Sequence, residues 1–307
     1  MLTIRTAKEA DFPSVARLIY SSTNAWYVGK GLGPIFAGEP EDCLIFPEVY
    51  EDLDPGDCLL AIRDDFPEVA GSCFVHERET HVSLGIMNCH PSQVGRGIAK
   101  ALLTEVVERA KKVGKPLRLV SSAINLDSYS LYTRQGFVPF GLFQDMILPV
   151  PEGGFRVPVP AKIRLREGRP GDAAAIDSLE QEIWKTSRER DWHYFLENRR
   201  GVWQVTVAEH EDGSLVGALC SVAEAGCTML GPGLAKDGPV GLALLLEGLN
   251  RRADLQPVFL VPAGEGWLVS ELYQRGARNC ELHVSQCLGT PPKMSGLVFP
   301  SFLPESA

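Results

Sequence analysis

The chain has 307 residues, long for one core, so two domains are expected. It carries 30 Lys and Arg against 39 Asp and Glu, and the net charge of −9 argues against a nucleic-acid-binding face. Hydrophobic residues make up 45% and charged residues 22%, ordinary values for a soluble globular protein. No apolar run approaches a membrane span, and the first residues lack the layout of a signal peptide, so a cytoplasmic protein with no membrane partner is expected. The cysteines form no CxxC pair and sit mostly in apolar stretches, which reads as reduced core thiols. Neither Cys nor His falls at zinc-ligand spacing, so no metal is expected.

In chain order, 2–6 reads as a strand and 11–20 as a helix with Asp11 at its N-cap. Residues 21–50 are irregular or helical and rich in Gly, Pro and aromatics. Strands are expected at 58–63 and 69–77, a polar turn at 77–80, and a strand at 82–89. Ile98, Leu102, Val106 and Ala110 repeat every fourth residue, with Leu103 and Val107 widening the stripe. That periodicity makes 98–113 a helix, closed by Gly114. A buried strand at 117–122, a short helix at 127–135 and strands at 137–140 and 142–148 follow. Strands first precede and then alternate with helices, so the fold class is α/β with a mixed sheet.

Residues 148–162 are rich in Pro and Gly and suit an extended linker. The second half repeats the series: strand 162–166, helix 172–185, strands 203–209, 214–223 and 227–230, helix 240–252, strand 257–261, helix 267–275 and strand 279–284. Arg5, Asp11, Val15 and Leu18 recur at a constant offset as Arg166, Asp172, Ile176 and Leu179. Leu131-Tyr132 recurs as Leu272-Tyr273, so the fold is read as duplicated. The tail 290–307 holds an apolar patch, Leu297-Val298-Phe299, and suits an extended arm across one domain.

Two segments carry chemistry. In Val94-Gly95-Arg96-Gly97-Ile98-Ala99 a glycine turn opens a helix. Its backbone N–H groups, with the helix dipole behind them, suit a pyrophosphate. Arg96 and Lys100 add positive charge. A tight strand-to-helix turn with no ligand is the plain alternative, and the missing third glycine makes a dinucleotide fingerprint the poorer reading. The other segment runs from Asn125 to Phe137. Asn125 ends a buried strand, and Ser128 and Tyr132 share one helical face. Tyr132 by itself reads equally as a core tyrosine.

Together these segments resemble the GNAT superfamily of acyl-CoA-dependent N-acyltransferases. That family carries an [R/Q]-x-x-G-x-[G/A] loop after its fourth strand and an N-x-x-[A/S]-x-x-[L/F]-Y-x-x-x-G-F helix after its fifth. Asn125, Ser128, Leu131, Tyr132, Gly136 and Phe137 match the latter. The resemblance implies two GNAT-like domains in tandem: a catalytic one at 1–148, a linker at 149–161, and a degenerate one at 162–307. It implies acetyl-CoA or another acyl-CoA as co-substrate. Met87, Asn88 and Cys89 would pair with the pantetheine arm. Val94, Gly95, Arg96, Gly97, Ile98 and Ala99, with Lys100, would hold the pyrophosphate, and Asn125 and Ser128 would meet the pantetheine region. Tyr132 would be the general acid toward the departing thiolate.

Val94 departs from the Arg or Gln of the family loop, and Gln93 lies one place early. The fourth strand carries no carboxylate, so the base stays open between Glu79, His81, Ser83, His76 and water. The acceptor side is expected at 21–50, where Trp26, Tyr27, Phe36 and Phe46 could wall a pocket. Acidic residues dominate from Glu39 to Glu68, a field that suits a cationic amine or simply a solvated surface. The second half's loop holds Pro232 and Pro239, which have no N–H to give, and its Tyr273 motif is a residue short before Gly276. The expected function is acyl transfer from acyl-CoA to a primary amine of a small molecule or peptide. The alternative is a module that binds CoA or another ligand without turnover.

Overall fold

Two runs of elements follow each other in the same order. The first comprises β1 (Leu2–Thr6), α1 (Phe12–Gly29), α2 (Ile45–Leu53), β2 (Cys58–Arg63), β3 (Gly71–Glu77), β4 (Val82–Cys89), α3 (Ile98–Val113), β5 (Leu117–Ser122), α4 (Leu126–Arg134) and β6 (Val138–Ile147). The second comprises β7 (Ile163–Glu167), α5 (Ala173–Trp184), α6 (Glu189–Glu197), β8 (Trp203–His210), β9 (Leu215–Glu224), β10 (Cys227–Ala235), α7 (Gly238–Arg251), β11 (Val258–Pro262), α8 (Gly266–Gln274) and β12 (Arg278–Leu288). A short strand, β13 (Leu297–Phe299), follows. This computed structural model describes residues 1–304; Glu305, Ser306 and Ala307, the end of the expected arm, lie outside the described residues.

The duplication extends to individual atoms. Arg5 forks onto Asp11 at 2.7 and 2.8 Å, and Arg166 forks onto Asp172 at the same two distances. Each aspartate also accepts a backbone N–H three residues back, from Lys8 or Arg169. Both stand at the expected N-cap positions, but neither side chain caps its helix. They lock the tight turn before it, because a bidentate guanidinium outcompetes the helix N–H groups.

All strands share one sheet, in the order β1-β2-β3-β4-β5-β12-β6-β11-β10-β9-β8-β7, with β13 added on β10. The halves trade their last long strands. β12 lies antiparallel against β5, with His283 opposite Ser122. β6 lies antiparallel against β11, with Met146 opposite Phe259. The two traded strands pair with each other at the centre. The exchange covers the edges that β5 and β11 would otherwise leave open.

One face of the sheet carries α1, α2, α5 and α6 on a shared apolar cluster that includes Val15, Phe46, Ile176 and Trp192. On the other face α3 packs Ile98, Leu102 and Val106 against Leu84 and Leu119. There α7 packs Val240, Leu245 and Leu249 against Leu230 and Phe259. Gly114, at φ 69°, closes α3 as expected. Helix α1 outruns its predicted end, since nothing after Tyr20 breaks it before Gly29. The strands expected at 137–140 and 142–148 are one, β6, which runs through Gly141. All eight cysteines are unpaired thiols. Among the described residues no helix is long and apolar enough to cross a membrane.

Candidate active site

The site begins where β4 leaves β5. Their parallel pairing covers only Val82 with Leu117 and Ser83 with Arg118. On the other edge Cys73 of β3 faces Met87 while Val75 faces Leu84, so β4 carries an extra residue at Gly85-Ile86. Such a bulge twists a strand and leaves local backbone groups unpaired. From Leu84 to Cys89 the β5-facing edge of β4 has no partner strand among the described residues. The result is a V-shaped cleft between β4 and the end of β5. The Tyr50 ring lies flat on the bulge: a Cβ on Gly85 would stand 2.6 Å from its Cε1 and 2.8 Å from its hydroxyl.

The glycine turn sits at the mouth of this cleft. Gly95 and Gly97 have φ of 80° and 79°, the left-handed region. A Cβ on either would meet nothing within 4 Å, so backbone angle, not space, requires glycine. Gly97 is the N-cap of α3 and offers no side-chain acceptor. The first N–H groups of that helix therefore have no intrahelical partners, and that of Ala99 meets the Cys89 thiol. Arg96 and Lys100 are exposed beside them. Val94 is 69% exposed. Gln93 does not replace the missing side chain: it is buried, with Nε2 on Ser92 and Oε1 without a partner. The cradle is made by the main chain.

Met87, Asn88 and Cys89 use their β3-facing edge for Cys73, Ser72 and Gly71. The Asn88 amide ties β4 to α1 through Ser22 Oγ at 2.8 Å. Burial pushes the Cys89 thiol up to about 11, with a backbone hydrogen bond from Ala99 pulling the other way. Asn125 caps α4, its Oδ1 accepting from the Ser128 N–H at 3.2 Å. One turn on, Tyr132 is buried with Phe137 and belongs to the same cluster as Leu84, Leu119 and Ile98 under the cleft.

The opposite face gathers groups from both halves. His283 Nδ1 meets Asp145 Oδ1 at 2.8 Å, and the Tyr27 hydroxyl donates to Glu281 Oε2 at 2.5 Å. One ligand atom each from Asp145, Glu281 and His283 lies within 4.8 Å of the others, close enough to surround one cation. Among the described residues Glu281 Oε1 is buried without a partner. Burial raises the Asp145 carboxyl, His283 opposes this, and Glu281 adds to it. Burial, then Glu281, raises the Tyr27 phenol above its ordinary value. Of the bases expected from sequence, Glu79 is exposed on the hairpin at the paired end of β4. His81 is buried beside Thr80, and burial with the nearby Arg118 and Arg188 holds it well below its usual value. His76 is buried on Asp54 and stacks on Tyr50 at 4.4 Å, and burial lowers it too. Ser83 is buried in the paired start of β4.

Residues 17–137 match the model of the acetyltransferase (GNAT) family. That match lies wholly within the first half. Whole-chain likenesses extend that fold to both halves. A protein from Pyrococcus horikoshii described as an acetyltransferase aligns with a TM-score of 0.73 at 18% identity, covering 97% of this chain and 92% of its own. A GCN5-related N-acetyltransferase from Sphaerobacter thermophilus aligns at 0.65 and 21% identity, covering 95% and 97%. A tandem GNAT protein from the clavulanic acid biosynthesis pathway aligns at 0.61 and 16% identity, covering 94% and 98%. The comparison with curated proteins returns no match.

The second half of this tandem GNAT fold treats its own cleft differently. β10 and β11 pair at Met229–Val258 and Leu230–Phe259. Beyond that point β13 enters, pairing Phe299, Val298 and Leu297 with Gly233, Leu234 and Ala235 of β10. At the following helix Asp237 caps α7, its carboxylate accepting from the Val240 N–H at 3.0 Å. The strand place is taken by the chain's own arm, and the helix N-terminus by its own carboxylate.

Proposed function

We propose that the GNAT half transfers an acetyl or other short acyl group from acyl-CoA to a primary amine of a small molecule or peptide. The observation that carries this reading is the contrast between the clefts. Among the described residues the first has a strand edge with no partner strand and a helix N-terminus with no side-chain cap, whereas the second has neither. In this reading the free edge of Met87 to Cys89 pairs with the pantetheine amides. The N–H groups of residues 94–99, with Lys100, hold the pyrophosphate. Asn125 keeps its Nδ2 for the pantetheine, since its Oδ1 serves the Ser128 cap.

A primary amine arrives protonated at neutral pH. The carboxyl groups of Asp145 and Glu281 receive it on the α1 and α2 face. His283, oriented by Asp145, takes the proton; this makes it a base contributed by the exchanged strand. The amine nitrogen then attacks the thioester carbon, whose oxygen is met by free N–H groups of the bulge. As the carbon–sulfur bond breaks, Tyr132 protonates the departing sulfur, and the second proton shed by the amine nitrogen as it becomes an amide returns the phenolate to the phenol. A thiol near 8.5 and a phenol near 10 give little driving force, so Tyr132 works by position.

The test is thiol release from acetyl-CoA with a panel of primary amines, comparing wild type with His283→Gln. Amine-dependent release that falls on the order of 10²-fold or more in the variant supports the reading. Acetyl-CoA binding without release for any amine replaces it with a CoA-binding module.

A further inference from the structure

The arm that fills the second cleft is buried from residue 297 to residue 304 with one exception. From Leu297 to Pro304 every residue is buried except Phe302, which is partly exposed. The second half is shaped around this arm. A Cβ on Gly231 would stand 2.5 Å from the Pro300 oxygen, and one on Gly241 would stand 3.1 Å from Phe299 Cζ. The arm is a resident strand, not a tail laid on the surface.

After β13 the chain crosses to the first half. The Phe302 N–H leans on Met229 Sδ at 3.5 Å, and its carbonyl accepts from the Tyr50 hydroxyl at 3.4 Å. Its ring centroid lies 4.7 Å from that of His283. Tyr50 in turn rests on Gly85 of the bulge, and His283 is bound to Asp145. Phe302 therefore stands between the bulge and the carboxylate–imidazole cluster, the two places that acyl transfer has to join.

We infer that Phe302 is the specificity-determining wall of the acceptor pocket. The second half thus serves to deliver one aromatic face to the first half's cleft. The acceptor class that fits is a cationic primary amine whose carbon skeleton lies flat against that ring, its nitrogen toward Asp145 and Glu281. An apolar wall discriminates by shape, and one methylene too many or too few changes kcat/KM about 10–200-fold. This inference rests on the acyltransferase reading.

The test uses the full chain with Phe302→Ala and Phe302→Leu. For each, kcat/KM is measured on unbranched alkylamines and on amines bearing a bulky or aryl group beside the nitrogen, together with acetyl-CoA affinity. Phe302→Ala is expected to raise the bulky-to-unbranched ratio about tenfold or more, Phe302→Leu less, with acetyl-CoA affinity unchanged. Leu keeps most of the apolar volume, so its ratio decides the matter if the Ala variant does not fold. An equal loss on every amine would assign Phe302 a packing role and overturn the inference while leaving acyl transfer standing. A wild type that binds acetyl-CoA but accepts no amine would overturn both.

Discussion

Gly97→Ala and Gly114→Ala are a matched pair at the two ends of α3. Gly97 sits at φ 79°, ψ 7° and Gly114 at φ 69°, ψ 24°. A Cβ at either position would meet nothing within 4 Å. Each substitution therefore costs only left-handed backbone strain, about 1–2 kcal/mol, and each should lower Tm by about 2–3 °C in a chain of 307 residues. Their effects on the cofactor should separate. The methyl at Gly97 enters the space where phosphate oxygens must approach the first N–H groups of α3, whereas Gly114 lies at the helix's far end. Calorimetric titration with acetyl-CoA should give a Kd at least about tenfold weaker for Gly97→Ala, a loss of about 1.4 kcal/mol, and an unchanged Kd for Gly114→Ala. Equal affinities in the two variants would remove residues 94–100 from cofactor binding.

Three further outcomes follow from the same geometry. Tyr132→Phe should lower kcat by about 10²-fold or more while acetyl-CoA affinity stays within a factor of two or so; steady-state kinetics with unchanged kcat would clear Tyr132 of the proton transfer. Burial depresses both His76 and His81, so the folded state binds fewer protons than the unfolded chain below the ordinary imidazole value. Stability should therefore be full above about pH 6.5 and fall on acidification by up to roughly 1.4 kcal/mol per unit for each group. Urea unfolding from pH 7.5 to 5.5 measures this, and a slope unaltered by His81→Gln would contradict it. Asp237→Ala removes the α7 cap and should destabilise by about 0.5–2 kcal/mol without creating a second acetyl-CoA site, because β13 still fills that cleft. Thermal melting and titration together check it.

What was legible in the sequence was local. The glycine turn announces itself because left-handed angles need glycine, and α3 because its apolar period is unbroken. Ser128 and Tyr132 fall on one short helix as expected, whereas Asn125, read as the end of the strand, lies beyond β5 as that helix's N-cap. Pairing between distant strands was not legible. Nothing in the alternation of β6 says that it lies between β11 and β12, so the exchange, and with it the Asp145–Glu281–His283 group, stayed hidden. Helix α6 leaves little trace in the sequence because only Asp191, Trp192 and Phe195 of its residues are buried, too thin a stripe among its charges. Asp11 and Asp172 read as helix caps because the arginine that claims each carboxylate lies on the preceding strand, a signal visible once Arg5 and Arg166 are noticed in register. The apolar patch Leu297-Val298-Phe299 was visible, but the slot that receives it belongs to the tertiary structure.

In the proposed reading one cleft of the pair is open to acyl-CoA, and its twin is closed by the chain itself. Isothermal titration of the full chain with acetyl-CoA tests it most directly. One molecule bound per chain, in a site weakened by Gly97→Ala, is the expected result. No binding, or two equivalent molecules per chain, would contradict it.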